Sequence, residues 1–232
     1  MNSTTISIPS HDGRQFDAYL SLPPTGHGPG LVIIQEIWGV NDHIKAVADQ
    51  YAMDGYVVLA PDVFWRQEAN VNLKYDESDT QKAFQLMTNL DEAKAVADLV
   101  STVKALRARP EVSSKVGSIG FCMGGRLSYQ LAASAAVDAA VCYYGGGIQN
   151  HLDKAPAVQG PILFHYAALD GYIPATAVAN VKKAFEGRSN AQFHVYEDVD
   201  HGFNCWGRPM YQQRAAALAR GRTLAWLSEQ LV

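Results

Sequence analysis

The chain has 232 residues, 48% of them hydrophobic, which suits one globular domain spanning 1–232 with a substantial core. A net charge of −4 without any basic run excludes a general nucleic-acid or anionic-membrane surface. No segment approaches the roughly 18 apolar residues of a membrane span, and Met1–Pro9 lacks a signal-peptide layout. Three cysteines without a CxxC pair fit a reducing compartment, so a cytoplasmic protein is expected.

In chain order, Thr5–Ile8 and Phe16–Leu22 flank His11-Asp12-Gly13 and read as an antiparallel pair. The apolar run Leu31–Ile34 is a strand ending at Gln35-Glu36-Ile37-Trp38-Gly39. A helix follows over Asp42–Met53, then a strand over Tyr56–Ala60. The polar stretch Phe64–Asp79 reads as a surface loop able to help cap a site, and Thr80–Arg107 as one long helix. Strands Val116–Ile119, Ala139–Tyr143, Ile162–Tyr166 and Gln192–Tyr196 then alternate with helices Arg126–Ala133, Ala175–Phe185 and Tyr211–Gln230. Continuous apolar runs suit strands covered on both faces. The alternation predicts an α/β fold: a mostly parallel sheet of about eight strands flanked by helices.

The chemistry-bearing motif is Gly120-Phe121-Cys122-Met123-Gly124-Gly125, set between a strand and a helix. This is the layout of a nucleophile elbow, usually G-x-S-x-G, with cysteine at the nucleophile position. The start of a helix favours a thiolate or an oxyanion. Two later strands end near an acid and a histidine: Leu163–Leu169 precedes Asp170, and Phe193–Tyr196 leads to His201. The order Cys122, Asp170, His201 is the nucleophile, acid, histidine order of α/β-hydrolases.

Other residues have plainer readings. Cys142 sits inside an apolar strand and reads as packing, as Cys205 also can. His165 reads as a hydrogen-bonded core histidine. His11, His27, His43, His151 and His194 show no metal-ligand spacing, and there is no Walker or dinucleotide motif, so neither metal nor cofactor is expected. Glu36 can cap the helix that follows it. The three arginines in Arg214–Arg222 read as a solvated face. A non-catalytic small-molecule sensor and a redox-sensing thiol protein remain alternatives to a hydrolase.

Together with Gln35–Asn41, Ala60-Pro61-Asp62-Val63-Phe64 and Tyr143-Tyr144-Gly145, the elbow and the ordered acid and histidine resemble the dienelactone hydrolase family of α/β-hydrolases over nearly the whole chain. The resemblance implies a cysteine-dependent hydrolase of small esters or lactones that forms a thioester, with no cofactor, and a monomer is expected. It implies that Cys122 is the nucleophile, His201 the base, Asp170 its orienting acid and Glu36 an extra carboxylate that helps form the thiolate. It places the oxyanion hole at the backbone N–H groups of Ile37 and Met123. It puts Trp38, Tyr143, Phe203, Met87, Thr80 and Cys205 around the substrate. Thr80 and Cys205 stand where the founding members carry two carboxylate-binding arginines, with Lys82 and Arg208 nearby, and Met87 stands where they carry a tryptophan. A carboxylated dienelactone is therefore not expected to be the best substrate.

Overall fold

A computed structural model describes residues 2–232. Eight strands form one sheet: β1 (Asn2–Pro9), β2 (Gln15–Leu22), β3 (Gly28–Ile34), β4 (Val57–Pro61), β5 (Val112–Phe121), β6 (Ala139–Tyr143), β7 (Ile162–Ala167) and β8 (Ala191–Tyr196). Their spatial order is β1-β2-β4-β3-β5-β6-β7-β8. β1 and β2 pair antiparallel from Asn2↔Leu22 to Pro9↔Gln15, and β2 pairs antiparallel with β4. Every other pairing is parallel.

The helices are α1 (Asp42–Met53), α2 (Glu77–Thr88), α3 (Glu92–Arg107), α4 (Met123–Ala133), α5 (Ala175–Ala184) and α6 (Gln213–Leu231). Strands β4, β6 and β7 are buried throughout, as two-sided cover requires. The expected single helix over Thr80–Arg107 is two. Asp91 interrupts it, because its carboxylate accepts from Lys94 N–H at 3.1 Å and caps a new N-terminus. The first of the two starts at Glu77 under the cap of Asp76, three residues before the expected start.

The strand order places the site. From β3 the chain moves to β4 on one side, then crosses back to β5 on the other side. The loops leaving β3 and β5 therefore diverge, opening a crevice at the carboxyl ends of these neighbours. Glu36–Trp38 follow β3, and Cys122 follows β5.

Candidate active site

Cys122 occupies the one-residue turn between β5 and α4, with φ 55° and ψ −117°. A non-glycine residue in this region carries strain of order 1–3 kcal/mol. Surrounding contacts hold it there: Cys122 N–H donates to the Tyr143 carbonyl, and Gly125 N–H to the Cys122 carbonyl, each at 3.0 Å. A side chain on Gly120 would strike the Gly124 carbonyl, and one on Gly124 would strike the Ile34 carbonyl. The glycines thus let α4 press against β5 and β3, which drives Cys122 outward into a cavity.

His201 lies beyond β8, and its Nδ1–H donates to Asp170 Oδ2 at 2.8 Å. The other Asp170 oxygen accepts from Tyr172 N–H at 2.9 Å and Ile173 N–H at 3.0 Å, so the turn after β7 fixes the carboxylate. Both side chains are almost fully buried. The Asp170 contact leaves Nε2 for the Cys122 sulfur, and both residues line the same cavity. Burial opposes charging of this ring. The negative charge that Cys122 carries when it ionises, and the hydrogen bonds to Asp170 and Cys122, outweigh that, and His201 is pushed up to about 10.

Glu36 lies just past β3 and is 1% exposed. Its Oε1 is 3.8 Å from Arg208 Nη1. None of its oxygens, nor Arg208 Nη1, has a hydrogen-bond partner among the described residues, so the two meet as charges. Burial pushes the Glu36 carboxyl up, opposed by Arg208, His201, and the Cys205 and Tyr144 side chains beside it. Behind Glu36, His43 is buried edge-on to Trp206, with centroids 4.1 Å apart. Burial first, and then the Arg208 charge, lower His43 to about 4.

The cavity holds about 190 Å³. Ile37, Trp38, Phe84, Met87, Met123 and Tyr172 give it apolar walls, and Arg126 and Arg208 bring cations. Arg126 is engaged elsewhere: its Nε donates to Glu92 at 2.9 Å, and a second nitrogen donates to the Gly146 carbonyl. Arg208 stacks over Trp38, 4.6 Å from the ring centre. Met123 N–H opens α4 and has no carbonyl one turn back to bond within that helix, so it remains available beside the sulfur.

Sequence reasoning and geometry diverge for four wall residues. Tyr143 does not face the cavity. It is fully buried between Phe121 and His165, and its hydroxyl is 2.7 Å from Thr223 Oγ1 on α6. Phe203 is also fully buried, packed against Tyr144 and Tyr196. Thr80 stays outside the cavity lining and accepts from Trp38 Nε1 at 3.3 Å. Cys205 is buried behind the wall and donates to the Tyr75 hydroxyl at 3.2 Å. Lys82 pairs with Glu68 instead of reaching the cavity.

Tyr144, to which the sequence alone assigns no role, lies beside the site. Its φ is +34°, it is fully buried, and its ring packs 5.0 Å from His201. The signal was available: Tyr143 is the last residue of β6, so its neighbour begins the turn at the catalytic edge of the sheet. His43 gave no such signal, because its relation to Glu36 depends on how α1 packs.

The sequence model of the dienelactone hydrolase family matches residues 16–231. A carboxymethylenebutenolidase of Pseudomonas putida is 36% identical over 224 residues, covering 96% of this chain and 95% of that protein. Carboxymethylenebutenolidase 1 of Cupriavidus pinatubonensis is 32% identical, covering 98% of this chain and 97% of that protein. The crystal structure of a dienelactone hydrolase-like promiscuous phosphotriesterase from metagenomic libraries superposes with a TM-score of 0.80 at 25% identity, covering 99% of both chains.

Proposed function

The chain belongs to the dienelactone hydrolase family, and on that footing we propose that it hydrolyses small esters or lactones with Cys122 as nucleophile, His201 as base and acid, and Asp170 as the group that orients His201. The observation that carries this reading is Cys122 held at φ 55° on the cavity, beside a histidine whose far nitrogen is 2.8 Å from a buried carboxylate. Strain of that kind persists where surrounding structure over-determines it, and here it exposes the sulfur.

The proposed steps use these groups in turn. The Cys122 thiolate attacks the substrate carbonyl carbon, and the carbonyl electrons move onto oxygen. The N–H groups of Met123 and Ile37 stabilise that oxyanion; losing one such donor typically costs about 2.7–4 kcal/mol of barrier. As the C–O bond breaks, the imidazolium of His201 gives its proton to the leaving oxygen. An acyl thioester remains on Cys122. Neutral His201 then takes a proton from water, hydroxide adds to the thioester, and collapse expels the thiolate beside a recharged imidazolium. Asp170 keeps the ring in one tautomer and offsets its charge throughout.

Glu36 acts before attack. Burial favours its protonated form, while Arg208 and His201 favour the carboxylate. In the carboxylate form it accepts the proton of Cys122 that is still present as thiol when substrate draws Arg208 away, adding to the thiolate that His201 stabilises. Arg208 is the one cavity arginine not already engaged by a protein carboxylate at hydrogen-bond distance. It therefore selects a substrate with an apolar body and an anionic group near the reacting carbonyl. This revises the expectation drawn from Thr80 and Cys205: the anchor arrives from position 208, through a turn that folds back over Trp38.

Rapid mixing with an activated aryl ester tests the core of this reading. A burst of one phenolate per chain, absent from a folded Cys122→Ala protein, is the expected result. Turnover at the wild-type rate without Cys122 would exclude the assignment.

A further inference from the structure

Behind the cavity wall, three donor side chains from distant parts of the chain meet. Glu36 follows β3, His43 stands in the first turn of α1, and Cys205 lies four residues beyond His201. One donor atom from each lies within 4.8 Å of the other two. The three residues are 1%, 6% and 0% exposed. Neither Glu36 oxygen and neither His43 ring nitrogen has a hydrogen-bond partner among the described residues. Buried polar atoms are nearly always paired, because they give up water on folding. Four unpaired atoms on two adjoining side chains call for an occupant.

We propose that Glu36, His43 and Cys205 form a binding site for a zinc-like divalent cation, and that the bound ion holds the enzyme inactive. Carboxylate, imidazole and thiolate are the donors zinc takes, and three protein ligands with an open fourth position is a common arrangement. Bond lengths of about 2.0–2.3 Å put tetrahedral ligands roughly 3.3–3.8 Å apart. The widest separation must therefore close by at most about 1.5 Å, within reach of side-chain torsions. Charge also balances: one carboxylate and one thiolate neutralise a divalent ion in a low-dielectric setting, with His43 as a neutral donor. As the metal–sulfur bond forms, the Cys205 proton leaves to solvent, one per ion, and no electron is transferred. Tyr75 loses the thiol hydrogen bond it accepts.

Arg208 is the opposing charge, 3.8 Å from Glu36. Its guanidinium already lies over Trp38 on the cavity wall, so it can withdraw into the cavity when the ion takes Glu36. An ion on Glu36 removes the proton acceptor for Cys122 and drives a cation into the substrate space. The inactivation rests on the reading of Glu36 given above; the binding does not.

The test separates the two. A chelator-stripped Cys122→Ala protein, which removes the nucleophile as a competing ligand, is titrated with Co²⁺ and then Zn²⁺. The expected result is a thiolate-to-cobalt charge-transfer band saturating at one ion per chain, displaced by Zn²⁺. The band should be lost on adding Cys205→Ser or, separately, His43→Gln, in proteins whose circular dichroism is unchanged. No band, or a band that survives in a folded Cys205→Ser or His43→Gln protein, overturns the site. With the nucleophile present, Zn²⁺ should slow ester hydrolysis at least tenfold, with recovery on chelation. Equal inhibition in Cys205→Ser assigns the effect to Cys122 and His201 and overturns the proposal. Binding without inhibition overturns the inactivation, and Glu36→Gln kinetics without metal then judge the Glu36 reading independently.

Discussion

Arg208 places its guanidinium 3.8 Å from the buried carboxylate of Glu36 and 4.6 Å above the ring of Trp38. One cation thus faces both a buried carboxylate and the cavity. On the proposed mechanism, a substrate anion that attracts Arg208 would weaken its hold on Glu36 at the moment a proton acceptor is needed. The proposed mechanism therefore couples binding and activation through a single side chain.

That coupling makes Arg208→Gln informative. A hydrogen bond to a charged group contributes about 1.5–3 kcal/mol, so kcat/KM for a carboxylated lactone should fall roughly 10- to 100-fold. The neutral methyl ester should change much less. Lys82→Ala should leave both rates near wild type, because Lys82 is paired with Glu68 outside the cavity. Equal losses on acid and ester would remove the anion-anchor role.

Glu36→Gln preserves shape and removes basicity. Acylation, followed as a single-turnover burst, should slow more than substrate binding weakens. If the variant acylates as fast as the wild type, Glu36 does not release the thiolate.

Asp170→Asn keeps the turn but permits the wrong imidazole tautomer. The rate should fall strongly, by up to about 10⁴-fold on the serine-protease precedent. Cys122→Ser should also lose most activity, since a hydroxyl is much harder to ionise than a thiol. Ultraviolet absorbance of the thiolate should decline in His201→Ala across neutral pH, and an unchanged signal would show that His201 does not hold the ion pair.

Two buried histidines should bound stability from opposite sides. His165 is fully buried, with Nδ1 2.8 Å from the Tyr196 hydroxyl and Nε2 2.9 Å from Thr223 Oγ1, and burial lowers its pKa well below 6.5. The unfolded chain then binds the extra proton more readily, so stability should fall as pH drops below 6.5. His201 has the opposite shift, from 6.5 up to about 10. Its contribution is complete below 6.5 and should be lost as pH rises through 10. Denaturant unfolding across this range should trace a dome, with the alkaline limb flattened in His201→Ala. Thr223→Val should cost about 2–6 kcal/mol at every pH, because His165 Nε2 and the Tyr143 hydroxyl both lose their partner, at roughly 1–3 kcal/mol each.

Much of this was legible in the chain. Apolar runs located the inner strands, since residues covered on both faces must be apolar wherever they stand, while the largely uncovered edge strands β1 and β8 were marked more weakly. The elbow could be read because its glycines answer a local demand, the close approach of α4 to β5 and β3. Asp170 and His201 could be read because each follows a strand whose end is marked by composition. The break at Asp91 was readable in principle from its own cap, but the helical periodicity on either side masked it.

The tertiary structure alone decided what surrounds the sulfur. Whether residue 143 or 144 packs beside His201 depends on where β6 ends and how the next peptide turns, and a shift of one residue exchanges a core tyrosine for one against that ring. Arg208 reaches Glu36 across the fold because the loop before α6 turns back over Trp38. His43 and Cys205 meet at Glu36 because α1 and that loop both pack behind the end of β3. Local composition records which residues want to be buried and where a turn must be tight. It does not record which distant side chains share one small volume, because that depends on packing between elements far apart in the chain.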